Sequence, residues 1–193
     1  MEQIDLGPCP ALLHEGERER CAILLPGARY PTRAPLLWFA REAALERGWS
    51  VLEVLDELPP DAQGFEWALD RSERALAAAP TGQLVMIGKS LTSVAAGLAA
   101  DRDLPAIWLT PLMREARVTE ALARAAQFTL LVGGTADPLW DRDAVPANPA
   151  IETVELEGLD HALQVPGDAE ASLRALGDAT RAVTGFLEPL AQS

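Results

Sequence analysis

The sequence predicts an α/β fold: a mostly parallel central sheet with helices on both faces, entered through an N-terminal hairpin. Three observations carry this expectation. From Cys21 onward, short apolar runs rich in branched residues alternate with longer stretches of helical period, the pattern of strands joined by crossover helices. Most of these runs are apolar at successive positions, as strands covered on both faces must be. The usage of 49% hydrophobic and 23% charged residues over 193 positions is that of an ordinary globular chain, so one domain spanning 1–193 is expected, neither disordered nor fibrous.

Taken in order, Pro10–His14 and residues 20–25 flank the charged turn Glu15-Gly16-Glu17, which reads as the opening hairpin. Strands are expected at 21–25, 51–55, 84–87, 106–109, 129–132 and 151–156. Helices fill the intervals. Phe65, Leu69, Ser72, Leu76 and Ala79 share one helical face, as do Leu173, Leu176, Val183 and Leu187 near the C-terminus, and both faces should pack on the sheet. Trp38, Trp49, Trp67 and Trp108 fall in or beside these elements and are assigned to the core. The Pro-rich segment 138–149 is the longest piece without a pattern and a first candidate for one wall of a site.

Charge and composition exclude several function classes. Sixteen basic against 29 acidic residues give a formal net charge of -13, which repels phosphate backbones and anionic lipid headgroups, so neither nucleic acid nor a membrane is an expected partner. No apolar run approaches the ~20 residues of a membrane helix, and the N-terminus lacks the basic flank of a secretory signal. A cytoplasmic protein acting on a small molecule is expected, and no oligomeric state is indicated. The two cysteines, Cys9 and Cys21, could join across a short hairpin, but a lone pair without an export signal reads as reduced. With only His14 and His161 besides, no ligand spacing for a metal exists. His14 is read as structural.

The chemistry-bearing segment is Gly88-Lys89-Ser90-Leu91-Thr92, where the strand 84–87 runs into an alanine-rich helical stretch, 94–100. A serine at the apex of a strand-to-helix turn either caps the helix or stands exposed in a strained backbone beside free N–H groups. Gly88-Lys89-Ser90 also imitates the end of a P-loop, but that motif needs a glycine where Gln83 stands and a flexible loop where Leu84-Val85-Met86-Ile87 forms a strand. A serine nucleophile needs a base, and the base an orienting group. Past the next strands come Gly133-Gly134-Thr135-Ala136-Asp137-Pro138 and Gly158-Leu159-Asp160-His161, each placing one such group beyond a carboxyl end. Asp141 and Asp143 compete with Asp137 for the acid's role, and Asp160 reads as a solvated turn residue. Lys89 is the only lysine, against 15 arginines; it either anchors an anionic substrate or occupies a freely variable position.

The turn at Ser90 and the chain order Ser, Asp, His resemble the nucleophile elbow and site of the α/β-hydrolase superfamily, from about Cys21 to the C-terminus. Thr92 stands where the second glycine of G-x-S-x-G is usual, and Pro26-Gly27 where many members have His-Gly. The resemblance implies Ser90 as nucleophile, His161 as general base and then acid, and Asp137 as the residue orienting His161. It implies an oxyanion hole from the N–H groups of Leu91 and Ala28, and neither cofactor nor metal. Only about 18 residues, read as one helix over 113–126, fill the place of the usual cap, so no separate lid domain is expected. A lidless site suits small soluble esters, thioesters or activated amides, with Tyr30 and Trp140 as an apolar wall. A scaffold that keeps the site but has lost turnover, serving as a small-molecule binding protein, is the alternative.

Overall fold

The computed structural model describes residues 1–191 and contains one eight-stranded sheet. Its strands are β1 (Glu2–Asp5), β2 (Pro10–His14), β3 (Glu17–Leu25), β4 (Trp49–Val54), β5 (Gln83–Lys89), β6 (Ala106–Leu109), β7 (Thr129–Gly134) and β8 (Ile151–Leu156). They lie in the order β1-β2-β4-β3-β5-β6-β7-β8. Strands β3 to β8 are mutually parallel, while β2 runs antiparallel to both β1 and β4. The helices are α1 (Pro35–Glu46), α2 (Gly64–Ala78), α3 (Ala96–Asp101), α4 (Ala116–Ala123) and α5 (Ala169–Leu190). Among the described residues no helix is long and apolar enough to cross a membrane.

Each face of the sheet carries its own apolar layer. Ala22, Leu24, Val51, Ile87, Ile107 and Leu130 pack with α1 and α5, while Ile23, Leu25, Leu52, Met86, Trp108 and Leu131 pack with α2, α3 and α4. Successive side chains of one strand point to opposite faces, so strands sandwiched between helices are predominantly apolar. Every residue of β4, β6 and β7 is buried, with Ser50, Glu53 and Thr129 as the polar exceptions. The strand order reverses direction between β3 and β5: the chain leaves β3 toward β4 and returns past β3 to β5. Loops leaving neighbouring strands on opposite faces open a crevice at their carboxyl ends.

The structure corrects several expectations. An N-terminal hairpin is present, but it joins β1 to β2, and β2 then adds to β4 rather than to β3. Gly16 does not shape a hairpin turn: a Cβ there would lie 2.4 Å from the Trp49 carbonyl oxygen, so glycine is needed where the chain crosses the start of β4. Cys9 and Cys21, by contrast, are free thiols as expected, and both are buried. Trp38 is 37% exposed, edge-on to Phe39, because its position on α1 turns away from the sheet. Leu173 is 67% exposed, the buried face of α5 being Ala175, Ala179, Val183, Phe186 and Leu187. The helix expected over 113–126 is shorter, and only α4 with its flanking turns separates β6 from β7, so no lid domain is inserted.

Candidate active site

The carboxyl end of β5 turns directly into a helix. Strand β5 ends at Lys89 and a 3-10 helix, Ser90–Ala95, begins at once, with Ser90 at φ 53. A side chain in this left-handed region costs about 1–2 kcal/mol, which the surroundings must offset. Thr92 does part of this. Its hydroxyl accepts from the Lys89 N–H at 3.0 Å and donates to the Lys89 carbonyl at 3.2 Å, closing the turn on itself. Room for it comes from Gly88, where a Cβ would lie 2.8 Å from the Thr92 hydroxyl and 2.7 Å from the Trp108 ring. The threonine in place of the usual second glycine is therefore a fitted part of the turn.

Ser90 does not cap a helix. Its Oγ lies 2.7 Å from Nε2 of His161, and Nδ1 of the same ring lies 2.7 Å from Oδ2 of Asp137. The Asp137 side chain is fully buried and its other oxygen accepts from the Leu139 N–H at 2.9 Å. A carboxylate only accepts, so Nδ1 carries the proton and Nε2 presents a lone pair to the serine hydroxyl. Asp141 and Asp143 bond to each other in a separate exposed turn, the Asp141 carboxylate accepting from the Asp143 N–H, and take no part. Asp160 is more than a solvated residue: its Oδ1 accepts from the N–H groups of Ala162 and Gln164, which folds the loop that presents His161.

The N–H group of Leu91 follows the serine directly, and that of Ala28 belongs to the loop after β3 that abuts the elbow. The Leu91 N–H lies in the first turn of the 3-10 helix, where no preceding carbonyl is in register to accept it. The N–H of Ala28 donates no hydrogen bond among the described residues, although its neighbours Gly27 and Tyr30 bond to each other across it. The loop is held against the elbow: a Cβ on Gly27 would lie 3.3 Å from the Lys89 carbonyl oxygen. The arrangement can therefore activate a hydroxyl and offer backbone donors to an anion beside it. No group of His, Cys, Asp and Glu that could hold a metal is found among the described residues.

Next to His161 a cleft of about 640 Å³ opens between the start of α1 and the start of α5, lined by Tyr30, Leu36, Ala162, Leu163, Val165 and Leu173 among others. Tyr30 thus forms part of an apolar wall. Trp140 does not: it is 6% exposed, stacked where a Cβ on Gly133 would lie 2.2 Å from its ring, with its indole N–H donated to Glu155 at 2.6 Å. Segment 138–149 likewise contributes no lining residue to the cleft, being anchored through Leu139, Trp140 and Asn148 to the α4 side. Lys89 follows neither sequence expectation. It is 2% exposed, and its Nζ donates to the Thr110 hydroxyl and to the main-chain carbonyl of His161, each at 3.0 Å. No local pattern foretold that role. His14 is paired structurally with buried Glu53 at 2.6 Å.

No protein-family model and no curated protein sequence matches the chain. Many solved structures do share its fold. Est1E from Butyrivibrio proteoclasticus is 18% identical, with a TM-score of 0.73 over 96% of each chain. An alpha-beta serine hydrolase homologue from Coxiella burnetii is 14% identical, with a TM-score of 0.72 over 93% of this chain and 95% of that one. A lidless α/β serine hydrolase from Xanthomonas campestris, XC6422, is 18% identical, with a TM-score of 0.70 over 98% and 93%. The chain has the α/β-hydrolase fold.

Proposed function

We propose that the chain is a serine hydrolase that cleaves a small ester, thioester or related acyl substrate through an acyl-enzyme on Ser90. The observation that carries this reading is the continuous chain of hydrogen bonds from Ser90 Oγ through both ring nitrogens of His161 to Asp137, each link 2.7 Å long. As the substrate carbonyl carbon is attacked, the Ser90 proton passes to His161 Nε2 and the imidazolium is stabilised by the buried Asp137 carboxylate. The carbonyl oxygen becomes an oxyanion that accepts from the Leu91 and Ala28 N–H groups. Collapse expels the alcohol or thiol, which takes the proton from His161, and a water deprotonated by the same nitrogen then releases the acid from Ser90.

The adjoining cleft suits an apolar acyl or alcohol group of modest size against Tyr30, Leu36 and Leu163. The two buried free thiols agree with a reducing, cytoplasmic setting. The test is labelling with a fluorophosphonate, which reports an activated serine without a known substrate. A single adduct mapped to Ser90 and lost in His161→Ala supports turnover chemistry. No adduct on the intact protein refutes it and leaves a small-molecule binding scaffold as the reading.

A further inference from the structure

The residue before the nucleophile is the one lysine of the chain, and the fold buries its ammonium between the elbow and the loops after β3, β6 and β8. The carbonyl that accepts from Lys89 Nζ is that of His161 itself. The hydroxyl of Thr110, just past β6, takes a second N–H, and the ring of Tyr30 lies 4.6 Å from Nζ at its centroid and receives the remaining positive charge. All three directions of the ammonium are thus occupied by protein. Tyr30 is fixed in turn, its hydroxyl accepting from the Leu36 N–H at 3.0 Å. A buried cation is expensive to keep where an apolar side chain would fill the same space, and no route to a ligand remains for it.

We propose that Lys89 is a positioning residue of this site, its ammonium tying the loop that carries His161 to the elbow that carries Ser90. The inference rests on the serine hydrolase reading. A backbone carbonyl held at 3.0 Å leaves the ring of the same residue little freedom to swing from Ser90, and Nε2 must stay within about 3.2 Å of Oγ to take its proton. The tie is also sensitive to pH. Burial pushes the ammonium down to about 8, against the opposing pull of the Asp137 and Asp160 carboxylates. Above that pH the charge assistance to the His161 carbonyl and the attraction to Tyr30 are lost.

The experiment compares wild type, Lys89→Met and Thr110→Val across pH 6–10 by the rate at which a fluorophosphonate modifies Ser90, alongside NMR of the His161 ring protons. Wild type should slow above about pH 8. Thr110→Val, equally branched and so no more strained at φ 45, removes one acceptor and should move this decline to lower pH. Lys89→Met should react at least about tenfold more slowly at pH 7, with no alkaline decline and with the Nδ1 proton signal of His161 broadened by exchange. A Lys89→Met protein with the wild-type rate, the same decline and an intact Nδ1 signal overturns the proposal. If Lys89→Met does not fold, a decline that stays put in Thr110→Val overturns it. If wild-type Ser90 takes no label, the hydrolase reading falls, and the Nδ1 signal alone decides: retained in Lys89→Met it overturns the tie, lost it supports the tie.

Discussion

Gly134 ends β7 three residues before Asp137, and its missing side chain sets where the His161 loop lies. A Cβ there would stand 2.3 Å from the carbonyl oxygen of Leu159 and 2.8 Å from its carbon. Ordinary contact would require the Leu159 backbone to retreat by about 1 Å, since non-bonded carbon atoms settle near 3.5–4 Å. That same carbonyl accepts from the Ala136 N–H at 3.0 Å, and Leu159 is two residues from His161. A shift of this size lengthens the 2.7 Å contacts on either side of the imidazole beyond hydrogen-bond range. Gly134→Ala should therefore lower the rate of Ser90 modification by about 10²-fold, with an overpacking loss of about 1–3 kcal/mol in stability. The assay is phosphonylation kinetics at a temperature where a thermal melt shows the variant folded. Gly97→Ala is the control, because nothing lies within 4 Å of a Cβ there. A folded Gly134→Ala protein reacting as fast as Gly97→Ala would falsify the claim that this contact sets the loop.

Ser90→Ala and His161→Ala should each remove several orders of magnitude of turnover, and the double variant little more, because the pair acts as a unit; additive losses in steady-state kinetics would separate their roles. Burial pushes both thiols, Cys9 and Cys21, up to about 11, so the unfolded chain ionises them first. The stability they lend is intact below about pH 9 and is lost as pH rises toward 11, about 2 kcal/mol per thiol. Urea midpoints between pH 8 and 11 should accordingly fall more steeply in wild type than in Cys9→Ala/Cys21→Ala, and parallel slopes would contradict this. Trp140→Phe should cost about 1 kcal/mol by freeing Glu155 and leave KM unchanged; a raised KM would return Trp140 to the substrate wall.

What the sequence revealed and what it hid divide by range. Strands β3 to β7 were legible because burial on both faces forces runs such as Ala106–Leu109 to be apolar throughout, and the elbow because one serine stands between a strand and a helix. Strand β1 was not: Glu2-Gln3-Ile4-Asp5 offers a single apolar residue, and the β2 strand it pairs with docks on distant β4 rather than on the neighbouring β3. The glycine pair Gly133-Gly134 marked a close approach without naming what approaches, which proves to be Trp140 on one and Leu159 on the other. Trp140 was misread for that reason. Lys89 was opaque in the same way, since its partners come from residues 21 and 72 positions away in the chain.

The burial of Lys89 also determines how this protein meets amine chemistry. Its 193 residues hold no other lysine, so the folded surface offers acylating reagents, cross-linkers and dyes no side-chain amine at all, and only the α-amine remains. Trypsin must cut at arginine. Any modification that does reach Lys89 requires the loops after β3, β6 and β8 to part from the elbow, so the slow appearance of a modified lysine on an otherwise native protein would count how often this end of the sheet opens.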